Sequence, residues 1–411
     1  MRVLPRSSPI LTIFNCFSLQ NPYLREYFTL KSLQNHVQYE RSKRYPPTPR
    51  FVQEAATLLT NPDNGYLART VDDQDEFFQG QVGAPGEESL VFASRRLLAM
   101  IQRDDVVQGD DTYKIRPYLN KSRHVFIVSL YSYGQMFPIA YAVMTKGTTT
   151  AYAAVLNKLK ELGLRPQAVV TDWDDAQRGA WKEVFPRIEL WGCYFHFLRA
   201  IYRKAKKKSL ASYLSDPDMS QGEVARILRM CAAIPRLSAG DIEEGYNRIW
   251  KMARDLPGVP DNVAKKLMSF LRYFKREWVS KPEEVTIKGR HVHTTSGQEG
   301  LHKWLNTCLN NMDRPSFWKF MGIIRRDEHK SYYELNGIAV TGHKTGTMSG
   351  KRQKTKNFNS RGLKFDADII EATKCFVANQ SITSFLTLAA AGVREAMHFI
   401  SQFGDDVELP E

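Results

Sequence analysis

Apolar and polar positions change rhythm several times along the chain. From Ser89 to Ile101 the spacing suits a helix, or a strand followed by a helix, and Val106 to Ile115 alternates apolar with polar residues. Two short runs follow, His124 to Tyr131 and Phe137 to Met144. They are apolar on both faces and joined by a turn around Gly134, the pattern of a hairpin of buried strands. Thr149 to Leu162 places Tyr152, Val155, Leu156 and Leu159 on one helical face and is stopped by Gly163. A buried strand is predicted over Gln167 to Asp172, a helix over Ala176 to Val184, and a strand over Ile188 to Cys193.

Three strands in a meander, a crossover helix and a further strand make a mixed α/β sheet. A right-handed crossover returns the fourth strand parallel to an earlier one. If it lands beside the first, Asp110 and Asp172 become neighbours although 62 positions apart (172 minus 110).

Outside this stretch the pattern differs. Residues 1–86 are poorly periodic and hold Tyr45-Pro-Pro-Thr-Pro49 and Asn61-Pro-Asp-Asn-Gly65, which reads as a leader or a small module. The first part of the core spans 87–200, and 201–290 is helical without strand signals. Residues 291–335 bring a helix through Leu301, Trp304, Leu305 and Leu309. Residues 336–411 give a basic linker around Lys351-Arg-Gln-Lys-Thr-Lys356 and a final helical stretch.

Composition then narrows the classes. A length of 411 residues implies more than one domain at roughly 150 residues each. A hydrophobic share of 43% with 25% charged residues excludes a disordered chain or a fibre. No apolar run reaches the roughly 18 residues of a membrane span, so no membrane partner is expected. Five scattered cysteines form no disulfide framework. Lysine and arginine number 58 against 44 acids, a formal +14 that attracts polyanions, nucleic acid first among them. Arg199, Arg203, Lys204, Lys206, Lys207 and Lys208 fall within ten residues holding no acid. They are the candidate DNA contacts, with a solvated helix face as the plainer alternative.

Each candidate acid also has a plain structural reading. Asp110 suits a strand end, Asp172 an N-cap, and Glu299, three positions after Ser296, a capping box. Cys193 and His196 form a C-x-x-H pair at a strand-to-helix junction. A structural zinc needs four ligands, and only Cys231, His291, His293 and His302 stand as loose partners, so zinc is not expected.

The ordered set Gly109-Asp-Asp-Thr-Tyr-Lys114, Phe137-Pro-Ile-Ala-Tyr-Ala142, Val170-Thr-Asp172, Val184-Phe-Pro186 and Gly192-Cys-Tyr-Phe-His196 resembles the Mutator-like element transposases over roughly residues 87 to 310. The resemblance implies an RNase H-like fold interrupted by an all-helical insertion. It further implies metal-dependent cleavage and transfer of DNA strands by Asp110, Asp172 and Glu299, the last within Gly297-Gln-Glu-Gly-Leu-His302, holding two Mg²⁺ or Mn²⁺ ions. Cys193 and His196 are implied to support that centre. The expected partner is double-stranded DNA, as transposon ends and target, with a second copy of the chain as a further candidate; the expected compartment is the nucleus. The family's first motif has glycine after the first acid, where Asp111 stands here. Alternating strand faces leave only one of Asp110 and Asp111 towards Asp172, and the motif favours Asp110. Two other outcomes stay open: a transposon-derived DNA-binding protein without activity, and an RNase H-like nuclease without strand transfer.

Overall fold

The computed structural model describes residues 45–101, 105–133, 135–215, 222–290, 292, 296–341 and 381–403. Its centre is one seven-stranded sheet. After helix α1 (Val52–Thr60) come β1 (Phe78–Val82), β2 (Ser89–Phe92), β3 (Val106–Thr112), β4 (His124–Ser132) and β5 (Gln135–Met144). Helix α2 (Thr149–Glu161) leads to β6 (Ala168–Thr171), and α3 (Asp175–Val184) to β7 (Glu189–Gly192). The strand order is β1-β2-β5-β4-β3-β6-β7. Pairs from β1 through β3 are antiparallel, while β3–β6 and β6–β7 are parallel. The run β5-β4-β3-β6-β7, a three-strand meander extended by two parallel strands, is the RNase H-like arrangement.

Strands β4 and β5 are apolar on both faces because both are covered. One side packs Phe126, Val128 and Ala142 against Tyr152, Leu156 and Trp181 of α2 and α3. The other packs Val125, Ile127, Tyr141 and Val143 against Leu301 and Leu305 of the helix Ser296–Cys308 and Phe320 and Ile324 of the helix Phe317–Thr341. Pro138 is tolerated inside β5 because it lies beyond the last β2 pair, Phe92 with Tyr141, and beside a register shift at Val128/Ser129 of β4.

The sheet begins ahead of residue 87. β1, with the polar sequence Phe-Gln-Gly-Gln-Val, forms its edge, and Val52, Ala55 and Leu59 of α1 join the core beneath it. After β7, helix α4 (Tyr194–Lys207) opens a helical module of α5 (Glu223–Ala233), α6 (Ile242–Arg254) and α7 (Asp261–Phe274). A π-helical turn at Lys275–Val279 and a short helix at Pro282–Val285 follow. The chain returns to the sheet in α8 (Ser296–Cys308) and α9 (Phe317–Thr341). Helix α10 (Ile382–Phe403) packs not on the sheet but into the module, where Leu386, Val393 and Met397 join Leu228, Ile249 and Phe270. The turn at Gly134 and the basic run Lys351–Lys356 lie outside the described residues, as does the leader up to residue 44. No helix among the described residues is long and apolar enough to cross a membrane.

Candidate functional site

β3 and β6 run parallel with Val106 opposite Ala168 and Gly109 opposite Thr171, a constant offset of 62 (168 minus 106, 171 minus 109). The next position along that offset pairs Asp110 with Asp172. Adjacent strands lie about 4.8 Å apart, so both acids leave the sheet at one end as neighbours. Asp172 sits one residue beyond β6, and the N-cap role belongs to Asp174, whose Oδ1 accepts from Gln177 N at 2.8 Å. Asp172 Oδ1 instead accepts from Asp174 N at 3.0 Å, which shapes the turn between β6 and α3.

Strand alternation separates Asp110 from Asp111. Asp110 shares its face with Val106 and Gln108, towards Cys193 and α8. Asp111 points the other way, where the Tyr152 hydroxyl donates to Oδ2 and His124 Nε2 stands 3.4 Å from Oδ1. Burial drives Asp111 well above the usual carboxylate range and, with Arg123 and Arg116 nearby, holds His124 down at about 3. This contact is therefore a buried polar cluster between sheet and α2. On the same face Gly109 lets Phe126 and Trp181 pack close, since a Cβ there would come within 3.2 Å of Phe126 and of the Trp181 indole nitrogen.

Cys193 is the N-cap residue of α4 and is buried, with its N–H donated to Thr171 O at 2.7 Å. His196, in the first turn of α4, lies close enough to both acids to couple to them. Burial raises the Asp110 carboxyl, His196 pulls against that rise, and Asp172 adds to it. Burial likewise raises Asp172 against the pull of His196. For His196 itself burial opposes the charge, but Cys193, Asp110 and Asp172 outweigh it and push the ring to about 9. A charged imidazole beside Cys193 and the two carboxyls offsets part of the repulsion of like charges sharing a site.

Trp173, directly after Asp172, explains the glycine at 192. Its ring packs where a Gly192 Cβ would stand, with Cζ2 the nearest atom, and its Nε1 donates to Cys193 O at 3.1 Å. The residue pattern alone did not expose this wedge, although Trp173 and Gly192 flank the two motifs.

The third acid is carried by α8. Glu299 lies in that helix, with its side chain outside the described residues. Its neighbours define the docking. Gln298, fully buried, donates Nε2 to Gln108 O at 3.0 Å and to Ile127 O at 3.4 Å, and Ser129 Oγ donates to its Oε1 at 3.2 Å. His302, held near 4 by burial, sets Nδ1 3.9 Å from Asp110 Oδ2, too far for a hydrogen bond. Gly297 lets the helix approach β5, since a Cβ there would stand 2.5 Å from Met136 Cγ. The segment bearing Glu299 is thus pinned over the end of β3 that bears Asp110. Sequence reasoning missed Gln298, whose partners lie far away in the chain.

Among the described residues no group of three or more His, Cys, Asp and Glu side chains is placed to hold an ion. Asp110 and Asp172 nevertheless supply hard oxygen donors whose mutual repulsion a cation relieves, and Mg²⁺ needs only one or two carboxylates beside its waters. Of the loose zinc partners, Cys231 is buried in the helical module, and His291 and His293 lie outside the described residues.

The basic stretch falls on α4, whose inner face of Phe197, Leu198, Ile201, Tyr202 and Ala205 is buried in the module. Tyr202 therefore presents no aromatic surface to a ligand. Lys206 and Lys207 are exposed, and Arg203 and Lys208 half-buried. Lys204 Nζ stands 4.1 Å from the centre of the Tyr273 ring, and Arg199 is buried with its guanidinium 5.9 Å from that of Phe195.

Comparison with curated proteins returns no match. Among solved structures, the chain is similar to one in the Drosophila P element transposase strand transfer complex, with a TM-score of 0.36 and 10% identity, over 82% of this chain and 94% of that one. Residues 106–200, the stretch that carries both aspartates, Cys193 and His196, match the family model of the MULE transposase domain.

Proposed function

We propose that the protein is a transposase that cleaves double-stranded DNA in the nucleus and transfers the freed strand, using Asp110, Asp172 and Glu299 as its acidic set. The observation that carries this reading is the register of β3 and β6, which makes Asp110 and Asp172 neighbours at one sheet end, below the helix that bears Glu299. The match of residues 106–200 to the MULE transposase domain supports the same class.

Asp110 and Asp172 suit two divalent ions, Mg²⁺ or Mn²⁺, which when bound stabilise charge on the entering and leaving oxygens of an in-line displacement. The chain's own part is to present oxygen donors from a rigid sheet, to seat them with Gln298, and to balance their charge with His196 until ions arrive. The nucleophile is water for cleavage and a DNA 3′-hydroxyl for transfer. Exposed Lys206 and Lys207 supply sequence-independent phosphate contacts.

The test is nicking of supercoiled plasmid by the full chain with Mn²⁺ or Mg²⁺. Activity that requires the ion and disappears in Asp172→Asn, with a melting temperature no lower than that of wild type, is the expected result. DNA binding without ion-dependent nicking would point to the non-catalytic alternative, and nicking without joining of 3′-ends to target DNA to a nuclease.

A further inference from the structure

The turn that carries Asp172 is held from outside the sheet. Arg178, 4% exposed and one turn into α3, donates Nη1 to Thr171 Oγ1 at 2.8 Å and to the Asp172 carbonyl at 3.1 Å. Its Nη2 meets Glu284 Oε2 at 2.5 Å, and Lys182 Nζ meets Glu284 Oε1 at 2.6 Å. Glu284 belongs to the helical insertion, on the short helix Pro282–Val285. A second contact runs beside the first. The guanidinium of Arg178 lies 4.6 Å from the centre of the Trp173 ring, and Trp278 meets that ring edge-on at 4.7 Å. Trp278 is delivered by the π-helical turn, an irregularity that re-aims a side chain within an otherwise regular helix.

A buried guanidinium needs an anion, and among the described residues Glu284 is the carboxylate paired with Arg178. Without it the arginine gains by turning to solvent, releasing Thr171 and the Asp172 backbone together. We infer that Arg178 and Glu284 are positioning residues for Asp172, through which the helical insertion sets the backbone of the second acid. This rests on the reading of Asp172 as an ion-holding acid. The insertion is then more than a spacer between the second and third acids, since it completes the support of the second.

The experiment uses the full chain and Mn²⁺ alone as probe, with free ion followed by electron paramagnetic resonance. Hydrogen–deuterium exchange across residues 170–176 is measured on the same samples. Glu284→Gln weakens Mn²⁺ binding by about tenfold, the scale expected when support behind a metal ligand is removed. It also speeds exchange in that turn, while plasmid affinity in EDTA stays within about twofold of wild type. Glu284→Asp, which keeps the charge, restores part of both and covers the case in which Glu284→Gln fails to fold. Glu244→Gln, removing an exposed partner of Arg248, serves as the control and changes neither. Folded Glu284 variants with wild-type exchange and wild-type Mn²⁺ affinity would overturn the inference. If wild type and Asp172→Asn bind Mn²⁺ alike, the ion-holding reading fails instead, and exchange in the turn still decides whether the clasp positions Asp172.

Discussion

Asp110 and Asp172 occupy the register position that follows Gly109 and Thr171 in the parallel β3–β6 pair. Burial raises both carboxyls, and the charge of Asp172 raises Asp110 further.

Removing one of these charges should stabilise the ion-free protein while ending its chemistry. A folded-state pKa above the unfolded value means that the native state binds protons first. The penalty is therefore greatest at high pH and fades as pH falls through the raised folded value towards about 3.9. Asp172→Asn is expected to melt at the same or higher temperature at neutral pH and to lack the Mn²⁺-induced rise in melting temperature expected of wild type. Nicking should fall by on the order of 10² or more. A strongly destabilised variant would show that the carboxylate is a structural partner.

Gln298 ties α8 to the sheet through two main-chain carbonyls and Ser129. Gln298→Ala removes these bonds and leaves a gap where a fully buried amide stood, which should cost about 1–3 kcal/mol in urea unfolding. Nicking should drop beyond the fraction unfolded, because Glu299 loses its register over Asp110. Activity that tracks only the folded fraction would confine Gln298 to a packing role.

Gly192 faces the Trp173 ring with no room for a methyl group. Gly192→Ala should cost about 1–3 kcal/mol or more, as overpacking does, and shift tryptophan fluorescence. The clashing atoms belong to the six-membered ring of the indole, so adding Trp173→Phe should recover part of the stability. Failure of the double variant to recover would place the strain elsewhere.

On α4, Lys206 and Lys207 face solvent while Arg199 is buried. Replacing both lysines with alanine should weaken binding to arbitrary duplex and flatten its salt dependence by about one unit of slope for each phosphate no longer neutralised. An unchanged slope would move the DNA track to another surface.

The strands and helices from β3 to β7 were legible because each alternation or helical face is complete within its own segment. Even the Asp110 and Asp172 pairing was legible, since a crossover of known hand converts sequence offset into register. β1 was not, because Gln79, Gly80 and Gln81 neither alternate nor carry strand propensity, and the edge is held by pairing with β2. Gln298 was illegible for a different reason: its partner Gln108 lies 190 positions away, and no local pattern marks an amide destined for main-chain carbonyls. Within the basic run, amphipathic spacing buries Tyr202 and Arg199 and leaves Lys206 and Lys207 outside, a split that charge counting alone does not reveal.

Helix α10 supplies Leu386, Val393 and Met397 to a module otherwise built from residues 194–290. During synthesis that module stays incomplete until more than a hundred further residues have left the ribosome, long after the sheet strands are available. A chain halted at residue 341 should thus present a greasy scar that binds a hydrophobic dye, beside a sheet already formed. The support behind Asp172 would be among the later parts to set, which ties the candidate site to the emergence of α10.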